Sequence, residues 1–244
     1  MVYVLPLLCR STSAGPSFEC GALHMILRPF VICSLTRCLL VALLAAAAPL
    51  SVLAAPVKVV AVWLTTPAKA NLLAEQPERL RFAKGSAGAK AIVIEDGKTF
   101  QTMEGFGHAL TGGTAQLSIG APENWSRNVL LWNLAADPQN GPHTNNGGCP
   151  VCSGAITLDG DTVVRNLAYY TAAHASKFVP AGSVRIASNG PPDALPHVAF
   201  LTPQKRHVLI VSNTTEQEST FSLRFKGKDA IASLPAGAVA TYVW

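Results

Sequence analysis

Between Ser183 and Trp244 the chain consists largely of short runs rich in β-branched residues, separated by turns such as Asn189-Gly190-Pro191 and Pro235-Ala236-Gly237. Short strands at regular spacing are typical of an antiparallel β-sandwich. The pattern therefore predicts a mainly β protein. The strands predicted here are Ser183–Ala187, His197–Leu201, His207–Ser212, Ser219–Phe225, Lys228–Ser233 and Val239–Trp244.

The segment before residue 183 adds further strands and two helices. Val57–Thr66 alternates and is rich in β-branched residues, which predicts a strand. The Asp96-Gly97 pair between Ala91–Glu95 and Thr99–Glu104 is a strong hairpin signal. Apolar spacing predicts helices at Arg127–Leu134, which Ser126 would cap, and at Arg165–Phe178. A strand pair is predicted at Ala155–Leu158 and Thr162–Val164.

The first 55 residues have the pattern of a signal peptide. Leu39–Ala55 is uncharged, Arg28 and Arg37 precede it, and small residues end it. The run is short for a membrane span of about 20 residues, and Pro49 interrupts it. We therefore expect residues 1–55 to be a signal-peptide region whose true start is Met25. The mature protein is expected to be exported, either periplasmic or secreted, with no stable membrane span.

The charge of the chain argues against a nucleic-acid partner. Charged residues make up 14% of the sequence and apolar residues 49%, which suits a folded protein. Removing residues 1–55 takes away three arginines and one glutamate, so the net charge falls from +5 to +3. Because no cluster of lysine and arginine stands out, the sequence gives little support for nucleic-acid binding.

Two cysteines remain after residue 55, Cys149 and Cys152, in a loop rich in glycine. In an exported protein this C-x-x-C spacing favours a small disulfide. A redox pair would be expected at a helix N-terminus, and zinc would need two further ligands. Both alternatives stay open, but the disulfide is the preferred interpretation. No motif predicts a cofactor or a metal site.

Several long motifs resemble glycoside hydrolase family 30, which includes glucosylceramidases and related β-glycosidases. They are VWLTT, QTMEGFGHALTGGTAQL, IGAPENWSRNVLLWNLAADPQNGPHT, AYYTAAHASKFVPAGSVRIAS and LPAGAVATYVW. The resemblance implies a (β/α)8 barrel flanked by a β-sandwich that takes strands from both ends of the chain. It divides this chain into N-terminal sandwich strands at 56–104, a barrel portion at 105–145 and a C-terminal sandwich at 146–244. The barrel portion would hold the first strand and the last helix.

Most of such a barrel has no counterpart in this sequence. A (β/α)8 barrel needs about 250 residues, yet the motif of the first strand meets the motif of the last helix at Leu117–Ser118. We therefore interpret the chain as a truncated family member, through a deletion or a wrongly assembled reading frame.

The missing segment would carry the catalytic residues. Retaining glycosidases need two carboxyl groups about 5–5.5 Å apart, and the resemblance places both glutamates on absent barrel strands. Glu104, Glu123 and Asp137 are the acids near the join, and we expect them to be ordinary surface or turn residues. No catalytic residue is therefore predicted, and the chain is expected to be inactive.

Weaker signals remain for ligand binding. Trp132 and His143 occupy positions that, by resemblance, approach the sugar-binding rim, while His174 is expected to pack in the core. The partner would be a β-linked carbohydrate or a glycolipid such as glucosylceramide. A carbohydrate-binding or interaction sandwich, or an enzyme with a rebuilt site, are the alternatives to an inactive fragment.

Overall fold

The computed structural model describes residues 58–85, 90–107, 114–130, 133–142, 152–190 and 195–244. All of them lie in one compact unit, Ala54–Trp244. Residues 1–55, the predicted signal-peptide region, lie outside the described residues.

The described chain is built mainly from strands, with two helices. The helices are α1 (Thr114–Glu123) and α2 (Leu167–Ser176). The strands are β1 (Val59–Thr65), β2 (Ala74–Glu75), β3 (Leu80–Arg81), β4 (Ala83–Lys84), β5 (Ala91–Thr102), β6 (Gly105–Gly107), β7 (Asn128–Leu130), β8 (Ala135–Ala136), β9 (Ile156–Asp159), β10 (Thr162–Arg165), β11 (Val184–Asn189), β12 (His197–Leu201), β13 (His207–Ser212), β14 (Ser219–Phe225), β15 (Lys228–Leu234) and β16 (Val239–Val243).

Eleven strands form one large sheet, which contains β1–β5 from the N-terminal part of the described chain and β11–β16 from its C-terminal part. Its order is β2-β1-β16-β13-β12-β11-β5-β14-β15-β4, and β3 pairs with β1. Neighbours are antiparallel except β5 and β14, which run parallel. The short segment Leu80–Lys84 pairs with β1 through β3 and with β15 through β4, so it links the two ends of the sheet. The predictions of a mainly β protein and of sandwich strands from both chain ends are confirmed.

The sheet encloses one apolar core and carries a second on its outer face. Each residue of β13 and β16 is buried. Since successive side chains of a strand point to opposite faces, both faces of the sheet are covered at these two strands. Leu209 and Tyr242 belong to the inner core. Val208 and Val243 belong to the outer cluster, which also contains Ile119 of α1 and Ala175 of α2. The two helices therefore cover the sheet on the side away from the sandwich interior.

The predicted hairpin at Asp96-Gly97 is wrong. Residues Ala91–Thr102 form the single strand β5. Both halves of β5 pair with β11: Ile186 lies opposite Thr99, and Ala187 lies opposite Glu95. Asp96, Gly97 and Lys98 thus form a bulge between these partners. The Asp96-Gly97 sequence does not form a turn because both halves of β5 pair with the buried strand β11 instead of with each other.

The predicted helix at Arg127–Leu134 is also wrong, because its first part is the strand β7. β7 pairs in parallel with β6, with Val129 opposite Phe106. Val129 is buried whereas Asn128 and Leu130 are exposed, which is the two-residue period of a strand. The helix lies earlier, at α1, and contains the join at Leu117–Ser118.

The strand pair predicted at Ala155–Leu158 and Thr162–Val164 and the helix predicted at Arg165–Phe178 match the structure closely. The predicted strand pair is the hairpin β9–β10, in which Asp159 lies opposite Thr162 and Gly160 has a φ of 55°. The predicted helix Arg165–Phe178 is α2, which begins at Leu167 and ends at Ser176. β6 and β7 pack through a small apolar cluster against both helices.

Candidate functional site

Glu104 lies between β5 and β6 and is held by residues that immediately precede or begin β7. Its carboxylate forms an ion pair with Arg127 at 2.8 Å and accepts a hydrogen bond from Asn128 Nδ2 at 2.6 Å. More than two fifths of the side chain is exposed to solvent. This arrangement secures β7 beside β6 and gives Glu104 the character of a surface ion pair.

Glu123, at the end of α1, is paired with the buried Arg185 of β11. Arg185 Nη1 donates to Glu123 Oε1 at 2.8 Å, and its guanidinium lies 3.7 Å from the centroid of the Phe100 ring. Arg185 Nε also donates to Gln101 Oε1 at 3.3 Å. The Arg185–Glu123 ion pair joins α1 to the large sheet, which is a structural role.

Asp137 shapes the turn after β8. Its Oδ1 accepts hydrogen bonds from the backbone N–H groups of Gln139, at 2.9 Å, and Gly141, at 2.6 Å. A side chain that bonds its own local backbone in this way stabilises a turn. Glu104, Glu123 and Asp137 therefore have separate partners, and within the described ranges no ion pair or hydrogen bond joins one of these carboxylates to another.

Asp96 and Asp229 are each bound by basic side chains. Burial alone would raise the pKa of Asp96, but hydrogen bonds from Lys226 and His207 outweigh it, so the pKa is lowered. The pKa of Asp229 is lowered by its hydrogen bonds from Arg224. A glycosidase general acid needs a raised pKa, so neither group suits that role. No cluster of metal-ligating side chains occurs in the part of the chain that the structure describes.

His174 of α2 is a packed core histidine, as predicted. Nδ1 lies 2.8 Å from Thr241 Oγ1 of β16, and Nε2 lies 2.8 Å from Thr65 Oγ1 of β1. Burial lowers the pKa of His174 to about 3, so the ring is neutral at physiological pH. It connects the helix to two strands rather than to a ligand.

Trp125 is an exposed aromatic side chain that the sequence analysis did not single out. Its side chain is 64% exposed, and its φ is 69°. The backbone there ends α1: Trp125 N–H donates to the carbonyl of Pro122 and Ser126 N–H donates to that of Ala121. Glycine usually occupies such a position. Trp125 packs edge-on against Phe100 at a centroid distance of 5.8 Å.

A basic cavity of about 190 Å³ is the second feature that the sequence analysis missed. Its described lining is Lys58, Phe82, Phe225, Lys226 and Lys228. These residues come from separate segments of the chain, so no local sequence motif predicts the cavity. Only the closing of the sheet by Leu80–Lys84 brings them together.

The proposed rim residues and one cysteine fall outside the described part of the chain. These residues are Trp132, His143 and Cys149. Cys152 is disulfide-bonded. Its pairing with Cys149 remains a prediction. Within the described ranges, no helix is long and apolar enough to cross a membrane.

Comparison with known proteins finds glycoside hydrolases. The model of the glycosyl hydrolase family 30 β-sandwich domain matches residues 182–242. The endo-1,6-β-D-glucanases neg1 of Aspergillus fumigatus and BGN16.3 of Trichoderma harzianum are each 30% identical over 135 residues, which cover 53% of this chain and 28% of theirs. The solved endo-β-1,6-glucanase BT3312 is 30% identical, with a TM-score of 0.47, over 52% of this chain and 29% of that one.

The chain spans less than a third of the length of these relatives. The family match falls on the C-terminal strands of the large sheet, from just before β11 into β16. It agrees with the sandwich that those strands form with β1 and β5. The chain is thus similar to glycosyl hydrolase family 30 over part of its length, and the family's β-sandwich domain is matched at residues 182–242.

Proposed function

We propose that this chain is a non-hydrolytic member of family 30. The observation that carries the proposal is the separation of its acids near β6 and β7: Glu104 is paired with Arg127, and Glu123 with Arg185. A retaining mechanism needs a nucleophile and an acid about 5–5.5 Å apart. Carboxylates that are each neutralised by a different arginine are arranged for structural ion pairs instead.

The segment β6–α1–β7 supports this proposal. It consists of two parallel strands joined by one helix, whereas a barrel needs eight such strands to form an enclosed catalytic face. We interpret residues 105–145 as a remnant of the barrel, with 56–104 and 146–244 supplying the sandwich. The low charge and apolar Leu39–Ala55 run of the region 1–55 support export of the protein.

The names of the relatives suggest which substrate to test. Two are endo-1,6-β-D-glucanases, which favours β-1,6-linked glucan over glucosylceramide as the first choice. The purified chain should be incubated with β-1,6-glucan, with aryl β-glucosides and with glucosylceramide, beside an active family 30 enzyme. We expect no release of reducing sugar or aglycone above the buffer rate.

Turnover that follows the protein through purification would refute this proposal. The variants Glu104→Gln and Glu123→Gln would then show whether either acid takes part. Loss of turnover in one of them would identify a rebuilt catalytic site.

A second candidate function is carbohydrate binding, which the exposed Trp125 favours. Indole rings stack well on sugar faces, and this one projects from a backbone conformation that bulky residues rarely adopt. The Arg185 guanidinium lies 5.9 Å from the indole centroid but is buried and paired with Glu123, so the indole face itself would make the sugar contact. Trp132 and His143 remain proposed as further contacts.

The binding function is tested by titrating β-1,6-gluco-oligosaccharides into the chain and measuring heat. Trp125→Ala should reduce affinity by about tenfold, the value of one lost stacking contact of 1–2 kcal/mol. Trp125→Phe should retain part of it. Ile231→Ala, at an exposed apolar position on β15, is the control and should bind like the natural chain. Equal affinity in the Trp125→Ala and Ile231→Ala variants would exclude Trp125 as the site.

A further inference from the structure

The strand β10 forms one edge of the small sheet β10-β9-β8. All four of its residues are exposed to solvent, and within the described ranges its only strand partner is β9. An exposed edge strand carries a row of unpaired backbone N–H and C=O groups, which can pair with a strand of another chain. The edge of β10 is therefore a candidate interaction surface.

One hydrogen bond shows which backbone groups of β10 point outwards. The N–H of Asn166, directly after β10, donates to the carbonyl directly before β9 at 2.9 Å. Hydrogen-bonding directions alternate along an antiparallel strand, so the backbone groups of Val164 and Thr162 also point towards β9. Those of Val163 and Arg165 point away from β9 and are available to another strand.

One face of the hairpin β9–β10 carries an exposed apolar stripe. Val163 is 58% exposed and lies directly opposite Leu158, which is 41% exposed. Directly opposite residues of an antiparallel pair have their side chains on the same face of the sheet. The stripe therefore runs across the hairpin to its free edge, and a strand beside β10 would remove Val163 from water.

The two ends of β10 carry opposite charges. Asp161 directly precedes the strand, and Arg165 is its last residue. Neither side chain forms an ion pair within the described ranges, and the Arg165 guanidinium lies 5.4 Å from the centroid of the Tyr169 ring. A strand with this charge pattern is complementary to an antiparallel copy of itself, because each acid then lies beside the arginine of the other copy.

The backbone and the charges together select one register for such a pairing. Hydrogen-bonded pairs in an antiparallel sheet join residues whose backbone groups point at each other, so Val163 must face an outward-pointing residue of the other copy. When Val163 faces Val163, both acids lie beside arginines. A shift by two residues in either direction places Val163 opposite Asp161 or Arg165 and breaks both charge pairs.

We propose that two copies of this chain form a dimer in which their β10 strands pair antiparallel about a two-fold axis at Val163. The two three-stranded sheets become one six-stranded sheet. The apolar stripe then continues from Leu158 and Val163 of one copy to the same residues of the other, with an Asp161–Arg165 pair on each side. The contact is small, so the dimer is a weak one. It does not rest on the proposed function, because it uses neither Trp125 nor the acids near β7.

The first test is sedimentation of the full chain at concentrations from about 5 to 500 µM, the range in which a small interface associates. The average mass should rise from that of one chain towards that of two. Val163→Lys places a charge on the two-fold axis and should keep the chain monomeric. Ile231→Lys is the matched control at an exposed β-branched residue of β15, and it should associate like the natural chain.

The second test exchanges the charges. Asp161→Lys and Arg165→Glu should each weaken association by about tenfold or more, because both charge pairs become pairs of like charge. An equimolar mixture of these two variants should associate as the natural chain does. In the mixed dimer, one contact joins the introduced lysine to the introduced glutamate, and the other keeps the natural Asp161–Arg165 pair.

Three results would overturn the proposal. They are a natural chain that stays monomeric throughout this range, association that is unchanged by Val163→Lys, and a mixture of the two charge variants that associates no better than either alone. Because the three substituted residues of β10 and its turn are exposed, the fold should survive, which thermal unfolding of each variant verifies. Recovery in the mixture also shows that the charge variants are folded.

Discussion

His174 Nδ1 lies 2.8 Å from Thr241 Oγ1, which places a buried imidazole between α2 and the central strand β16. Thr65 Oγ1 accepts a hydrogen bond from the Leu73 N–H at 2.9 Å, so its own hydroxyl hydrogen is free for His174 Nε2. In the arrangement that uses this hydrogen, Thr65 donates to Nε2, Nδ1–H donates to Thr241 Oγ1, and Thr241 donates to the His174 carbonyl at 3.4 Å. The two threonine hydroxyls thus give both ring nitrogens of the neutral imidazole a partner.

This neutral ring makes stability depend on pH. The pKa of His174 is about 3 in the folded chain and about 6.5 in an unfolded one. Between these values the unfolded state binds a proton that the folded state does not. Stability from His174 is therefore complete above pH 6.5 and is lost as the pH falls towards 3, by up to about 1.4 kcal/mol per pH unit.

His174→Asn should remove this dependence. Urea unfolding at pH 7 and at pH 4.5 gives the stability difference between the natural chain and the variant. We expect this difference to shrink by about 2–3 kcal/mol at the lower pH. Asp96 and His207 titrate in both proteins and therefore cancel. The same difference at both pH values would show that His174 is not held neutral.

The hydroxyl partners should matter as much as the ring. Thr241→Val preserves shape but leaves a buried ring nitrogen without its hydrogen-bond partner, which costs about 1–3 kcal/mol of unfolding free energy. Thr220→Val is a matched control on the exposed side of β14, where Thr220 contacts Ser233. Its effect should stay within about 0.5 kcal/mol. Comparable losses in both variants would argue against a special role for Thr241.

How far the sequence predicts this fold depends on the range of the contacts involved. The strands β13 and β14 are found at their predicted boundaries, because their own residues already favour an extended, buried segment. The Asp96-Gly97 turn and the helix at Arg127–Leu134 fail, because β11 and β6 supply partners that are distant in sequence. The basic cavity could not be predicted, since Lys58 and Lys228 belong to opposite ends of the described chain.

The ion pair between Arg185 and Glu123 should stabilise the attachment of α1 more than a surface pair would. The Arg185 side chain is 7% exposed and lies against Phe100, so Arg185→Ala loses packing and leaves Glu123 without its partner. We expect a loss of about 1–3 kcal/mol, below the range for a fully buried pair because Glu123 is partly exposed. The comparison is Arg79→Ala, whose partner is Glu75.

The pair of Arg79 and Glu75 has a similar distance, 2.7 Å, but both side chains are about half exposed. Its loss should change stability by less than about 0.5 kcal/mol. Thermal unfolding of the two variants at the same salt concentration measures the contrast. Equal effects would mean that Arg185 contributes no more than a surface arginine.

Substitution by threonine should lower the free energy of unfolding at one residue of β7 and leave it almost unchanged at its neighbour. Val129 is 4% exposed and packs beside Phe106, whereas Leu130 is 53% exposed. Val129→Thr introduces a hydroxyl into an apolar contact and should cost about 1–3 kcal/mol. Leu130→Thr removes only exposed apolar surface, so unfolding free energy should change by less than about 0.5 kcal/mol. Exposed apolar surface also promotes association, so the Leu130→Thr chain should scatter less light on concentration than the natural chain. A stability loss at Leu130 as large as that at Val129 would mean that this face of β7 is covered in solution.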